Sequence, residues 1–170
     1  MKTKEGHYYD GQWSKNNGLR HGKGVQVWND GAVYEGNWKY DMANGSGRMI
    51  HADGSVYEGE WHDDKAHGHG KFTYADGEST YEGDFREDKF EGDGVEHFKD
   101  GSSYDGEFLN GKKHGQGEFT WADGSEYKGG WINGLQEGDG ERTFKDGSHY
   151  TGEFKEGKMS GHGEMEYADG

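Results

Sequence analysis

The chain of 170 residues contains no cysteine and no proline. Without cysteine there is no disulfide framework, no thiolate zinc site and no cysteine nucleophile. Leu, Ile, Val and Phe together number only 18, too few for a large aliphatic core. With a formal net charge of −15, that content falls in the range of disordered chains. No apolar run exceeds three residues, which leaves neither a transmembrane helix nor the apolar centre of a signal peptide. An intracellular, cytoplasmic protein is expected. The acidity opposes binding to nucleic acid or to an anionic bilayer through bulk charge. The first 25 residues depart from it, with five basic residues (Lys2, Lys4, Lys15, Arg20, Lys23) against two acidic ones (Glu5, Asp10).

Glycine and aromatic residues are abundant instead. Glycine accounts for 34 positions and aromatics for 15% of the chain. A disordered polar tract would not carry so many rings. Glycine in a helix interior costs about 0.8–1 kcal/mol, so long helices are not expected. Aromatic surface must supply the burial that aliphatic side chains do not.

The sequence repeats. A Tyr-x-Gly-x-aromatic unit, in which one x is itself Gly, occurs at Tyr9/Trp13, Tyr34/Trp38, Tyr57/Trp61, Tyr81/Phe85, Tyr104/Phe108, Tyr127/Trp131 and Tyr150/Phe154. A Gly-x-Gly unit follows each, at Gly22, Gly45, Gly68, Gly92, Gly115, Gly138 and Gly161. An Asp-Gly pair follows each of those, from Asp30-Gly31 to Asp169-Gly170. The period is about 23 residues in seven copies, the pattern of a repeat array in which each unit stacks on its neighbours.

Within a copy the period is two. Tyr57, Gly59 and Trp61 alternate with Glu58 and Glu60; Gly68, Gly70, Phe72 and Tyr74 alternate with His69, Lys71 and Thr73. Such alternation marks half-buried strands. Each copy is therefore a two-strand hairpin, with a turn over His62–His67 and a second turn at Asp76-Gly77 leading to the next copy. Same-face pairing places Trp61 opposite Gly68, Gly59 opposite Gly70 and Tyr57 opposite Phe72. At a junction it places Trp121 opposite Tyr127 and Phe119 opposite Gly129. Rings then cover neighbouring glycines. Each fully buried ring contributes roughly 4–6 kcal/mol, which outweighs about 0.5–1 kcal/mol of chain entropy per glycine.

These units, for example residues 53–77 (DGSVYEGEWHDDKAHGHGKFTYADG), resemble the MORN (membrane occupation and recognition nexus) repeat over about residues 7–170. The resemblance implies an all-β fold: an elongated single-layer antiparallel sheet of tandem hairpins, one array over residues 1–170. It also implies a scaffold that binds protein partners, supports cytoskeletal and ciliary structures or tethers membranes. The lipid-kinase, methyltransferase and exchange-factor domains that accompany such arrays elsewhere are not in this sequence. The chain ends at a repeat boundary without a polar cap. It is therefore expected to be a fragment of a longer protein, or to cover its last hairpin with a second copy as a homodimer.

Motifs that point to chemistry have plainer explanations. Gly106 to Lys112 matches most of a phosphate-binding loop, but Lys113 stands where Ser or Thr would hold magnesium. His21, His67 and His114 precede Gly-x-Gly units, yet Asn44, Glu91, Glu137 and Ser160 occupy the same position, so a turn-end polar contact is expected rather than a metal site. The Asp-Gly pairs lack the aspartate that a calcium loop requires four residues earlier. Carboxylates repeat on an exposed face, where a raised pKa is not expected. No enzyme activity, cofactor or metal is expected.

The aromatic stripe carries the functional expectation, since one layer of sheet cannot cover its own aromatic face. One set of candidates is Trp28, Tyr74, Phe98, Trp121 and Phe144, read as second-strand positions. The other is the first-strand rings Tyr34, Trp38, Tyr57, Trp61, Tyr81, Phe85, Tyr104, Phe108, Tyr127 and Trp131. A groove of rings rimmed by acid suits an extended or helical peptide with basic flanks. The alternative is association with phosphoinositide or other acidic phospholipid headgroups through the basic N-terminal segment or through Lys112-Lys113-His114.

Overall fold

Two-residue alternation becomes strand throughout. The structure, a computed structural model, describes residues 7–169, and no helix occurs among them. Contacts divide the chain into two units, Met1–Lys89 and Phe90–Gly170. The first holds β1 (Tyr8–Trp13), β2 (Arg20–Val27), β3 (Val33–Lys39), β4 (Met42–Ile50), β5 (Val56–His62), β6 (Lys65–Thr73) and β7 (Thr80–Arg86). β8 (Lys89–His97), all but its first residue in the second unit, is followed there by β9 (Ser103–Leu109), β10 (Lys112–Thr120), β11 (Glu126–Ile132), β12 (Leu135–Thr143), β13 (His149–Lys155) and β14 (Lys158–Glu166). In each unit the strands lie in chain order and consecutive strands pair antiparallel. The fold is the expected all-β sheet of tandem hairpins.

Register departs from expectation at two points. Tyr57 faces Phe72 and Gly59 faces Gly70 as the alternation requires, but Trp61 faces Ala66, not Gly68. The ladder shifts between Gly59 and Trp61, because Gly68 adopts φ +64° and bulges out of it. The hairpin turn is correspondingly tighter than His62–His67. His62 pairs with Lys65, and only Asp63 and Asp64 lie between, both left-handed at φ 48° and 68°, the two-residue turn that matches strand twist.

At the repeat junctions the slip is two residues. Phe119 faces Tyr127 and Gly117 faces Gly129; Trp121 has left the ladder. Its N–H donates to Ser125 O at 2.8 Å and its carbonyl accepts from Gly124 N at 2.9 Å. Asp123 Oδ1 accepts both the Ser125 N–H (3.0 Å) and its Oγ–H (2.6 Å), which draws Ser125 in as the residue that closes the loop. Trp28, Tyr74, Phe98, Trp121 and Phe144 thus head the junction loops just beyond the strand ends.

Candidate functional site

Tyr34, Gly36 and Trp38 point to one face of β3. Gly36 has no side chain, so the Tyr34 ring lies along the strand, and its hydroxyl donates to Asn37 O at 2.9 Å. The Trp38 indole stands edge-on to it, centroids 5.0 Å apart, and its Nε1 donates to Gly24 O at 3.1 Å. The next repeat adds Trp61 to the other side of Tyr34, 5.1 Å away. Tyr57 sits in the same way between Trp61 and Phe85. In the second unit Tyr104 lies between Phe108 and Trp131, and Tyr127 between Trp131 and Phe154. Each tyrosine is thus held by two edge-on rings and one hydroxyl bond. Burial raises the hydroxyl pKa at Tyr34, Tyr57 and Tyr104, and at Tyr127 to about 12.

This ladder is the core. Of the expected partner-binding residues, Tyr34, Trp38, Tyr57, Tyr81, Phe85, Tyr104, Phe108, Tyr127 and Trp131 are buried within the chain. Trp28, Trp61, Tyr74, Phe98, Trp121 and Phe144 are half-buried. In the first unit Trp28, Met49 and Trp61 pack on the cluster of Tyr9, Tyr34, Trp38 and Ala43. They line a groove of about 490 Å³ with His51, Arg20, Asp64 and Asp88.

The sequence did not announce three cations on this face. Arg20 lies on the Trp38 indole, 4.0 Å from its centroid, and its Nε donates to Asp41 Oδ1 at 2.8 Å. Partial burial pushes the Asp41 carboxyl upward, but hydrogen bonds and charge from Arg20 outweigh that and hold it below the usual range. Lys113 Nζ stands 5.0 Å from the Phe98 and Tyr104 centroids and donates to Glu96 Oε2 at 2.7 Å. The Arg142 guanidinium lies 4.5 Å from Trp121 and 5.1 Å from Phe144. One signal was available: Arg20 and Lys113 each stand two residues before a Gly-x-Gly unit.

At the repeat position shared with the histidines the expected turn-end contact is made by Asn44, whose Nδ2 donates to Asp63 Oδ1 at 2.8 Å, and by Glu91 and Glu137, whose carboxylates accept the Asn110 and Glu156 N–H at 3.0 and 2.9 Å. His67 Nδ1 and His114 Nδ1 are instead buried without a hydrogen-bond partner, and the His67 ring meets the His62 ring at 5.7 Å. No group of three or more His, Asp or Glu placed to hold a metal ion occurs among the described residues. Of the expected headgroup contacts, Lys2 and Lys4 lie outside the described residues, and Lys113 is engaged with Glu96 and the rings beside it. No helix among the described residues is long and apolar enough to cross a membrane.

The MORN repeat family model matches residues 9–33, 34–56, 57–79, 81–103, 104–126, 127–149 and 150–170. The chain belongs to that family. A comparison with curated protein sequences finds no match. Among solved structures, the TCP10 domain of Danio rerio CPAP in complex with a peptide of Danio rerio STIL is similar with a TM-score of 0.50 and 15% identity, over 85% of this chain and 64% of that one. The SAS-4 (dCPAP) TCP domain of Drosophila melanogaster, in complex with a proline-rich motif of Ana2 (dSTIL), gives a TM-score of 0.49 at 15% identity, over 76% of this chain and 71% of that one. At such identity the likeness to the Danio rerio domain is one of fold.

Proposed function

We propose that the chain is a non-enzymatic scaffold or adaptor that holds a segment of a protein partner on the half-buried aromatic rings of its units, within a cytoskeletal, ciliary or membrane-tethering assembly. The observation that carries this reading is the split among the rings. The tyrosine ladder is satisfied internally, whereas Trp28, Tyr74, Phe98, Trp121 and Phe144 head five of the junction loops, His51 heading the one between Trp28 and Tyr74, and remain half-buried. A half-covered set of large rings is the composition of a docking surface. Near-equivalent repeats offer many similar sites rather than one asymmetric reaction centre. The TCP10 domain of Danio rerio CPAP, similar in fold, is in complex with a peptide, which is consistent with a peptide segment as the occupant here.

Affinity capture with cross-linking and mass spectrometry tests this. Wild type is compared with the Trp28→Ala/Trp121→Ala double variant, and each with acidic phospholipid vesicles at physiological salt. A captured protein that cross-links beside the half-buried rings of either unit and is lost from the double variant supports the reading. Strong, salt-sensitive vesicle binding with no groove-dependent protein favours the headgroup alternative.

A further inference from the structure

One position of the repeat, opposite a ladder tyrosine, is polar in three copies. Gln26 pairs with Tyr34, Glu96 with Tyr104 and Arg142 with Tyr127; Met49, Phe72 and Phe119 hold the place elsewhere. Two of the three are answered within the chain. Gln26 is buried and accepts from Arg20 Nη1 at 3.0 Å, and Glu96 is buried and accepts from Lys113 Nζ at 2.7 Å. Arg142 has no such answer. Its Nε is buried without a hydrogen-bond partner, and among the described residues its guanidinium makes no hydrogen bond and no ion pair. By repeat spacing, Gln136 and Met159 stand where Arg20 and Lys113 stand for the other two, and neither brings a charge.

Rings, not acids, surround this arginine. The guanidinium carbon lies 4.5 Å from the Trp121 centroid and 5.1 Å from that of Phe144, and both rings are half-buried heads of junction loops. Arg142 lines two clefts. One, of about 540 Å³, it shares with Phe144, Lys145, Asp123 and Asp146; the other, of about 360 Å³, it shares with Trp121 and Gln136. Asp123 and Asp146 do not neutralise it, because Oδ1 of each accepts the N–H and Oγ–H of Ser125 or Ser148. Rings that hold a guanidinium by its faces leave the N–H groups of its edge for an acceptor. A half-buried cation without a counter-ion is costly, and an acid brought by a partner offsets that cost.

We propose that the second unit binds an acidic side chain, Asp or Glu, of the docked partner segment on the edge of the Arg142 guanidinium beside Trp121 and Phe144, with Lys145 as the second cation of the cleft. This rests on the docking role proposed above and specifies the chemistry of the occupant there. The planar fork of arginine matches a carboxylate with two parallel hydrogen bonds. Asp123 and Asp146 on the same cleft select the lower charge: a phosphate group, at about −1.5 to −2, meets up to about twice the repulsion from them that a carboxylate does. The half-buried rings give the residues flanking the acid an apolar surface, which a free carboxylate ion would not use.

The test selects peptides from a random display library on the full chain and measures their binding to wild type, Arg142→Gln, Arg142→Lys and Trp121→Ala. Arg142→Gln removes the charge, and glutamine already occupies this repeat position at Gln26; Arg142→Lys keeps the charge and loses the fork. Circular dichroism and the thermal midpoint check folding. The proposal expects selected peptides that share an acidic residue beside apolar ones and that shift the Arg142 Nε–H and Trp121 indole N–H resonances. Affinity should fall at least about tenfold with Arg142→Gln, or when the acid is replaced by its amide, and Arg142→Lys should restore part of it. Should Arg142→Gln not fold, the acid-to-amide change in the peptide makes the same comparison on wild type. Peptides without a common acid, or bound unchanged by Arg142→Gln, yet lost from Trp121→Ala would overturn the carboxylate contact and leave the docking surface. Tighter binding with phosphoserine in place of the acid would overturn the choice of carboxylate over phosphate. No enriched peptide, or indifference to all three variants, would overturn the inference, while the broader role stands or falls on capture of a partner by the half-buried rings.

Discussion

Asp64, left-handed at the tip of one hairpin, accepts the backbone N–H of Ala43 in the hairpin before it, with Oδ1 2.7 Å from the nitrogen. The backbone answers in the other direction, Asp64 N–H donating to Ala43 O at 3.0 Å. Asp41 on Arg20 and Asp88 on Ala66 repeat the side-chain contact. In the second unit glycine takes this place: Gly111, Gly134 and Gly157 keep only the backbone bond, to Phe90, Lys113 and Gln136. The first unit therefore accepts a non-glycine residue at positive φ and gains an inter-repeat hydrogen bond in exchange.

Asp64→Ala loses the acceptor and keeps the unfavourable backbone, and is expected to destabilise by about 2 kcal/mol. Asp64→Gly loses the acceptor and relieves the backbone, and is expected to cost about 1 kcal/mol. Urea unfolding ranks the two, and amide exchange at Ala43 should quicken in both. Equal stability of Asp64→Ala and wild type would contradict the arrangement.

Close approach, not backbone freedom, fixes glycine at Gly70. A Cβ built there lies 2.6 Å from the Tyr57 ring and hydroxyl, while one at Gly54, φ +90°, meets nothing within 4 Å. Gly70→Ala must displace a buried ring and is expected to destabilise by roughly 3 kcal/mol or to prevent folding. Gly54→Ala carries only the backbone cost, about 1 kcal/mol. Thermal or chemical unfolding of the pair distinguishes the two causes.

Acid should weaken the junction loops. The Asp53, Asp100, Asp123 and Asp146 carboxyls are held below the usual range by hydrogen bonds from the Oγ–H and N–H of Ser55, Ser102, Ser125 and Ser148. A carboxyl with a lower pKa folded than unfolded contributes stability above its unfolded value, about 3.9, and loses that contribution as pH falls through the folded one. These loops should therefore contribute a steady amount from neutral pH to about pH 5 and lose it below about pH 4. Changing the four serines to alanine should shrink that acid loss, measured as unfolding midpoint against pH; an unchanged profile would contradict it.

Period and face were legible in the sequence because alternation and fixed spacing are backbone properties. Tyr57 opposite Phe72 and the cover of Gly70 by Tyr57 follow from them. The shifts at Gly68 and Trp121 do not. Both arise where one residue leaves the ladder, through a bulge at positive φ or through a side chain closing a loop, and alternation counts every residue as paired. Arg20, Lys113 and Arg142 were likewise hidden among solvated charges, since only the three-dimensional path shows that their long side chains turn onto the rings.

The most direct measurement pairs Trp28→Ala with Tyr34→Ala in the same chain, reading the unfolding midpoint and the recovery of the captured protein partner together. A buried ladder with half-buried docking rings requires the two properties to separate. Tyr34→Ala should lose roughly 3–5 kcal/mol of stability. Trp28→Ala should stay folded with a smaller loss and bind that partner at least about tenfold more weakly. Equal losses of stability, or full recovery of the partner without Trp28, would contradict the division of the aromatic face into buried core and half-buried docking rings.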